Sequence, residues 1–384
     1  MGRYLCNPLY IVLFLPGILA GFGESGFGSV DSLYMLNRGI TPIELGGLVG
    51  IFYLAITLAE FPTALIFDRT FSKKIIYVGL IIKILAYGAY AMSASYLGFA
   101  FAQIAAGIGT AALSGSIGAF VINHFEDKSY KNIGAVTSEW NIVRSIASLI
   151  GGGIGLFLFH QTDWMVWVFA ALMTMLCIMS FIRVPNLPPP SQIEKFSLKG
   201  LFFLLADFIK RPLFIAVALQ DVALVGLVMF WQPRVSEVGG WWLYYGFIII
   251  TFSSAISSFA FRYYLPRLKH AAPFAMVNAV LAAAVVLTPS GYTFLVFFAL
   301  HVVASNILGT IVNVAFAESL DDRHRATAGS FVSLISGGLM MLLGPLAGWV
   351  GQSWGIAVAG WITVVIFLIM SGYSFRSFRD QFTG

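Results

Sequence analysis

Residues 164–182 read WMVWVFAALMTMLCIMSFI, nineteen residues without a charged side chain, and Arg183 follows directly. A helix of about 20 apolar residues is long enough to cross the hydrocarbon core of a bilayer. The whole chain is 59% hydrophobic and 10% charged, with a mean hydropathy of +0.88. A soluble domain carries about 25% charged residues. The sequence therefore predicts a helical protein embedded in the lipid bilayer.

Similar apolar runs occur along the full length of the chain, separated by short polar gaps. They predict an all-α membrane protein with twelve transmembrane helices, which divide into two halves of six. The predicted spans are residues 9–36, 43–67, 75–94, 96–123, 135–159, 163–183, 213–233, 241–261, 271–289, 291–316, 326–349 and 353–373.

One long gap, rich in proline, separates spans six and seven. It predicts an N-terminal bundle over residues 1–184, a cytoplasmic linker over 185–212 and a C-terminal bundle over 213–384. Two halves of six helices with a linker between them are a known plan of secondary transporters. Within the linker, Leu198–Phe208 could form a helix on the membrane surface or belong to a flexible connection, and both alternatives stay open.

The basic residues fall almost entirely on one side of the predicted spans. Two cations, Arg38 and Arg234, occupy the opposite side, and Lys83 and Arg144 lie inside spans. Cytoplasmic loops of membrane proteins are enriched in Lys and Arg, so both termini are expected in the cytoplasm. The eighteen cations on the expected cytoplasmic side are Arg3, Arg69, Lys73, Lys74, Lys128, Lys131, Arg183, Lys195, Lys199, Lys210, Arg211, Arg262, Arg267, Lys269, Arg323, Arg325, Arg376 and Arg379.

Several classes of protein are disfavoured by what the sequence lacks. Cys6 and Cys177 are too few for a disulfide framework, and no metal-ligand spacing, phosphate loop or paired-carboxylate hydrolase site occurs. We therefore expect no enzyme, no metal, no cofactor and no ATP-driven pump. The net charge of +5 needs no nucleic-acid partner, because the cations form a membrane rim. The first span lacks a signal-peptide cleavage pattern and is expected to be retained.

Carboxylates inside predicted spans are the candidates for proton coupling, because a charge in the membrane is costly and usually functional. Glu24 and Asp31 lie seven residues apart in span one, which places them on one helix face. Asp221 in span seven is the third candidate. Alternatively, Asp31 lies at a wetted outer rim and Glu24 takes part in a structural hydrogen bond or ion pair.

Arg144 in span five is the main candidate for substrate binding, with a partner on another helix or on the substrate. An ion pair with Glu139 is the alternative, and Lys83 in span three could extend its amine to the membrane surface. Further candidates for a substrate cavity are polar or aromatic side chains within the spans, namely Gln103, Trp140, Asn141, Trp231, His301 and Asn306. The glycine-rich stretch 151–155 indicates close helix packing or a point of bending.

Residues 60–74, EFPTALIFDRTFSKK, lie at the predicted cytoplasmic end of span two. They resemble the signature of the major facilitator superfamily between its second and third helices. The resemblance implies a latch with neighbouring helix ends, formed here by Glu60, Asp68, Arg69 and Lys73. The sequence departs from that signature at Ala64, Phe71 and Ser72.

Three other stretches are similar to the same family, in its bacterial drug:proton antiporter-like branch: SGSIGA at 114–119, FWQP at 230–233 and RAT at 325–327. The resemblance implies a monomeric transporter of the bacterial inner membrane that exports a small amphipathic compound in exchange for protons. Import of a metabolite or siderophore with protons is the alternative, and a membrane sensor is a third class. Gln103 stands where antiporters of the family often carry an arginine.

Overall fold

The computed structural model describes residues 8–70, 72–114, 117, 120, 133–186, 205–264, 267–289, 291–320 and 325–383. Within these ranges the regular structure is helical, which confirms the predicted all-α class. Eleven helical stretches within these ranges are long and apolar enough to cross a membrane, and one of them, Pro212–Ser236, consists of consecutive short helices. A further helix, Trp242–Tyr264, occupies the position of predicted span eight and has a shorter apolar part, Trp242–Ser253.

The chain divides into two compact units. The first contains Met1–Ile40 and Ile51–Ile193, and the second contains Thr41–Gly50 and Glu194–Gly384. The helix Pro42–Thr70 is shared, since its first residues group with the second unit and the rest with the first. Residues 187–204 of the predicted linker lie outside the description, and residues 205–208 of the predicted surface helix are helical.

In the described part of the first unit, seven helices have both ends defined. The first, α1, packs on α6 and α7, and α4 packs on α5 and α7. Glycines let α1 and α6 approach closely, because a Cβ at Gly151 would lie 2.5 Å from the carbonyl oxygen of Phe22. The helices are α1 Pro8–Gly28, α2 Asp31–Asn37, α3 Pro42–Thr70, α4 Lys73–Met92, α5 Tyr96–Leu113, α6 Ile133–Gln161 and α7 Met165–Ile182.

The prediction of one continuous span over residues 9–36 is wrong. Helix α1 ends at Gly28, a turn follows at Ser29 and Val30, and the short α2 begins at Asp31. The Ser29 hydroxyl donates to the carbonyl of Gly26, which satisfies one of the carbonyls left free at the end of α1. Because the helix is interrupted, the seven-residue spacing no longer places Glu24 and Asp31 on one helix face.

Beyond α2, an ion pair joins the segment after α2 to the connection between α6 and α7. Arg38 donates through Nε and Nη2 to the two carboxylate oxygens of Asp163, at 3.0 and 2.8 Å. These hydrogen bonds raise the pKa of the Arg38 guanidinium above its ordinary value. The guanidinium also lies 5.0 Å from the ring centre of Tyr34, whose hydroxyl donates to the carbonyl of Tyr90.

Predicted span seven is also interrupted, and it forms three short helices in the second unit. Arg234 in the last of them is buried and donates to the carbonyls of Val285 and Thr288, both at 2.8 Å. It thereby satisfies carbonyls at the end of another helix. The helices of this unit are α8 Pro212–Val222, α9 Val225–Val228, α10 Trp231–Ser236, α11 Trp242–Tyr264, α12 Ala271–Leu287, α13 Tyr292–Glu318, α14 Arg325–Trp354 and α15 Gly360–Thr383.

Candidate substrate and proton site

A polar cavity of about 330 Å³ lies inside the first unit. Helical spacing explains its walls, because residues three, four or seven apart share a helix face. Gly17, Ala20 and Glu24 form such a face on α1. Thr110 and Ser114, at the end of α5, are four residues apart, as are Trp140 and Arg144 of α6, and α4 contributes Lys83. The lining residues are Gly17, Ala20, Glu24, Lys83, Thr110, Leu113, Ser114, Ile117, Trp140 and Arg144.

In the lining of this cavity, Lys83 of α4 forms an ion pair with Glu24 of α1. The Lys83 amine lies 2.5 Å from Glu24 Oε1, and the exposed fractions of the two side chains are 6% and 39%. The stem of Lys83 fits because Gly109 faces it, where a Cβ would lie 2.7 Å from Lys83 Cγ. The suggestion that Lys83 extends to the membrane surface is therefore wrong, since its charge is compensated inside the unit.

Arg144 of α6 approaches the second oxygen of the same carboxylate. Its Nη2 atom lies 3.9 Å from Glu24 Oε2, and its side chain is 47% exposed. The interhelical partner expected for Arg144 is thus Glu24, whereas the side chain of Glu139 lies outside the description. At 3.9 Å the contact is an ion pair without a hydrogen bond, so the planar fork of donors on Arg144 stays available to a ligand.

The charged lining side chains sum to a net positive charge. Glu24 contributes one negative charge, and Lys83 and Arg144 contribute two positive charges. The field between low-dielectric walls is therefore positive, which attracts an anion and repels a second cation.

Trp140 supplies the apolar wall of the cavity. Its indole is 94% buried and packs edge-on against Phe14, with ring centres 5.3 Å apart. Gly17 of α1 permits this position, because a Cβ at residue 17 would overlap with the indole. A rigid aromatic surface beside an arginine suits a ligand with an apolar body and a charged end.

Other predicted residues of the first unit lie away from the cavity lining. Asp31 begins α2, where its carboxylate accepts a hydrogen bond of 2.8 Å from the backbone N–H of Ser32. Gln103 is buried in α5. The backbone of Asn141 is helical in α6, and its side chain lies outside the description. The structure thus brings together Glu24, Arg144 and Trp140 of the predicted set.

Two of the predicted site residues in the second unit, Asp221 and Asn306, form hydrogen bonds to serine side chains. Asp221 of α8 is exposed and accepts a hydrogen bond of 3.0 Å from the Ser336 hydroxyl. Asn306 of α13 donates to the Ser253 hydroxyl at 2.7 Å.

Two aromatic candidates of that unit are buried in its packing. Trp231 stacks on Phe298 with ring centres 6.3 Å apart. His301 is fully buried and lies edge-on to Phe367, with ring centres 5.6 Å apart. These surroundings suit side chains that pack the bundle.

The predicted latch is only partly described. Asp68 and Arg69 are helical in α3, and their side chains lie outside the description. Lys73 begins α4, and its amine donates to the carbonyls of Phe181 and Val184. It thus satisfies carbonyls at the end of α7. Glu60 accepts a hydrogen bond from Ser114, at 3.4 Å.

Three polar residues of the cavity lining were missed as site residues in the sequence. Lys83 is the one cation of its apolar span, and the high cost of a membrane charge is the signal that identifies it. Thr110 and Ser114 lie four residues apart in a span rich in Ala and Gly, which is the signal for a polar face on α5.

Comparisons with known proteins agree with this architecture. The profile of the Major Facilitator Superfamily matches residues 13–293. A search of curated protein sequences gives no match. A variant of the nucleoside transporter NupG superposes with a TM-score of 0.77 at 14% identity, covering 97% of this chain and 99% of that one.

Two further solved structures share the fold. A bacterial homologue of the human lysosomal transporter Spinster, inward-facing and occupied, has a TM-score of 0.70 at 16% identity and covers 96% of each chain. A POT family transporter in complex with 5-aminolevulinic acid has a TM-score of 0.72 at 13% identity and covers 98% of each chain. At these identities the likeness concerns the fold alone.

Proposed function

Because the chain belongs to the major facilitator superfamily, we propose that it is a proton-coupled transporter of small organic anions. The protein is a multi-pass membrane transporter and not an enzyme. Glu24 would carry the coupling proton, and Lys83 and Arg144 would bind the anionic group. The observation that carries the proposal is the placement of both cations on the two oxygens of one carboxylate, at 2.5 and 3.9 Å.

Charge decides the substrate class in this proposal. Two like charges 4 Å apart repel by about 4 kcal/mol at an effective dielectric constant of 20. A cationic substrate would therefore meet repulsion from Lys83 and Arg144 before it reached Glu24. An anion meets two cations instead, and the fork of Arg144 suits carboxylate, sulfonate or phosphate oxygens. The Trp140 indole would cover an apolar body.

The same geometry favours cotransport of the anion with a proton. An anion and the Glu24 carboxylate compete for the positive charges of Lys83 and Arg144, so the anion binds better once Glu24 is neutral. By linkage, a bound anion equally favours protonation of Glu24. Loading one proton and one monovalent anion also leaves the net charge of the cavity unchanged. Proton symport, and hence uptake driven by an inward proton gradient, follows from this coupling.

Export by proton antiport is the second candidate. The motif at 60–74 and its likeness to drug:proton antiporters favour it, and a neutral amphipathic compound could use the Trp140 wall. In that case substrate and proton would exclude each other at Glu24. Asp221 and Asp31 stay predictions as additional proton carriers. The bacterial inner membrane, the cytoplasmic termini and the monomeric state are predictions as well.

Lumenal pH in proteoliposomes separates the two mechanisms. Benzenesulfonate is a suitable probe, because it is aromatic and stays ionised, so it does not cross lipid as a neutral acid. When it is added outside vesicles that contain the purified protein and a pH dye, symport acidifies the lumen and antiport makes it more alkaline. The sign is independent of the orientation of the protein in the vesicle.

Binding to the detergent-solubilised protein tests the substrate class separately. We expect benzenesulfonate to raise the unfolding temperature, since a ligand stabilises the state that it binds. Phenyltrimethylammonium, a cation of similar shape, is the matched control and should give no increase. Stabilisation by the cation alone would contradict the anion proposal, and lumen alkalinisation would favour antiport.

A further inference from the structure

The segment Glu60–Thr63 of α3 forms a polar contact with the end of α5. Pro62 has no N–H group, so it cannot donate to the carbonyl of Leu58. The hydroxyl of Thr63 lies 2.8 Å from the carbonyl of Ala59 and 3.2 Å from that of Ala111 in α5. The Ala111 carbonyl belongs to the last turn of α5, where carbonyls lack helical partners. Thr63 therefore holds the two helices together beside Glu60.

This contact places the Glu60 carboxylate next to the residue that follows α5. The Ser114 hydroxyl donates to Glu60 Oε1 at 3.4 Å, and Ser114 also lines the cavity that contains Glu24. Glu60 is half-buried at the end of the apolar span Pro42–Glu60. Among the described side chains, no lysine or arginine forms an ion pair with it.

We propose that Glu60 is a second proton carrier, which exchanges protons between the Glu24 cavity and the cytoplasmic end of α3 through the Ser114 hydroxyl. This proposal rests on the proposed proton coupling at Glu24. It differs from the latch role implied by the motif, because it requires Glu60 to titrate. A latch requires only that the side chain keeps its hydrogen bond.

The proton balance of this route is simple. A serine hydroxyl can donate one hydrogen bond while it accepts others. When the Ser114 proton moves to the ionised Glu60, the Ser114 oxygen takes a proton from a cavity water, and that water is supplied by protonated Glu24. The result is neutral Glu60 and ionised Glu24. A cavity of about 330 Å³ with several polar walls has room for bridging waters.

Two assays with benzenesulfonate separate coupling from binding. Counterflow exchange of labelled benzenesulfonate needs no net proton movement, whereas its accumulation under an imposed pH gradient does. For Glu60→Gln we expect exchange within about twofold of the wild type and accumulation reduced at least about tenfold, because glutamine keeps the acceptor oxygen and cannot titrate. Ser114→Ala should also reduce accumulation, by about fivefold.

Two control variants accompany this test. Glu44→Gln removes a carboxylate from the opposite end of the same helix, where it accepts a hydrogen bond from the Thr41 N–H, and should behave as wild type. Glu60→Asp keeps a titrating group and should retain accumulation with an altered pH profile.

Each remaining outcome has a definite meaning. Accumulation by Glu60→Gln at the wild-type level, with the wild-type pH profile, overturns the proposal. Loss of exchange together with accumulation in both Glu60→Gln and Glu60→Asp overturns it too, since the role is then structural. Wild-type protein that exchanges benzenesulfonate but never moves protons contradicts the coupling at Glu24 itself, and that result is seen before any variant is measured.

Discussion

Lys83 and Glu24 form an ion pair across two helices, with 2.5 Å between the amine nitrogen and the carboxylate oxygen. Lys83 is buried in the packing of α4, whereas Glu24 faces the cavity. The buried lysine thus compensates the charge of the Glu24 carboxylate, and a ligand or a proton can reach that carboxylate from the cavity. This asymmetry makes Glu24 the exchangeable member of the pair and Lys83 the fixed one.

Removing one member of the ion pair should destabilise the protein more than removing both. Loss of one partner from a fully buried ion pair costs about 3–5 kcal/mol, and the cost is smaller here because Glu24 is 39% exposed and Arg144 stays 3.9 Å from it. We therefore expect Lys83→Met to lower the apparent unfolding temperature by a measurable amount. The double variant Lys83→Met with Glu24→Gln should recover much of this loss. Unfolding in detergent at one fixed heating rate provides the measurement.

The same double-mutant cycle can also contradict the coupling between Lys83 and Glu24. If the effects of Lys83→Met and Glu24→Gln simply add, the two side chains are not coupled. The partly exposed pair of Arg38 and Asp163 is the matched comparison, with exposed fractions of 28% and 32%. Arg38→Ala should cost about 1 kcal/mol, as surface ion pairs do.

Arg144 should require its guanidinium and not merely its charge. Arg144→Lys keeps the positive charge but loses the planar fork, so it should impair benzenesulfonate binding nearly as much as Arg144→Ala. Arg183→Ala is a suitable control, because this arginine follows α7 outside the cavity lining. Full binding by Arg144→Lys would mean that residue 144 supplies only charge. Full binding by Arg144→Ala would mean that Arg144 does not take part in benzenesulfonate binding.

Two glycines of α6 test whether the glycine-rich stretch serves close packing. A Cβ at Gly155 would overlap with the backbone of Gly26 in α1, whereas a Cβ at Gly153 would meet no atom within 4 Å. Gly155→Ala should therefore lower the unfolding temperature clearly. Gly153→Ala should be neutral or stabilising, by up to about 1 kcal/mol from helix propensity. Equal effects of the two substitutions would contradict the close approach of α1 and α6.

Topology follows from the cation asymmetry and can be checked by cysteine labelling. In a variant with Cys6 and Cys177 replaced, single cysteines at Thr162 and Ser290 should react with an impermeant reagent from outside the cell. A cysteine at Pro190 should react only from the cytoplasmic side. Labelling of the cysteine at position 190 from outside would contradict the predicted orientation.

Much of the architecture could be predicted because the bilayer imposes strong constraints on sequence. Span lengths and span positions follow from the thickness of the hydrocarbon core. The interruption at Ser29 and Val30 could not be predicted by hydropathy, since Gly28 to Val30 carries no charged side chain and continues the run of uncharged residues. The same limit applies to span seven, whose three short helices form one apolar run.

The candidate site was only partly predictable for a related reason. Glu24 and Arg144 are costly charges in the membrane, and this cost identifies them from sequence alone. The pairing of Glu24 with Lys83 joins residues 59 positions apart and depends on how α1 and α4 pack. Likewise, Asp31 does not share a helix face with Glu24, because α1 ends at Gly28, before residue 31.

The central claim, that a proton and an anion bind cooperatively at Glu24, is tested most directly by the pH dependence of benzenesulfonate affinity in detergent. Between about pH 7.5 and about pH 5.5, the wild type should bind about tenfold more tightly, since protonation releases Lys83 and Arg144 from the carboxylate. Glu24→Gln should bind with one affinity at both pH values, at least as tightly as the wild type at about pH 5.5, and Asp221→Asn should keep the wild-type dependence. Affinity independent of pH in the wild type, or an unchanged pH dependence in Glu24→Gln, would contradict the account.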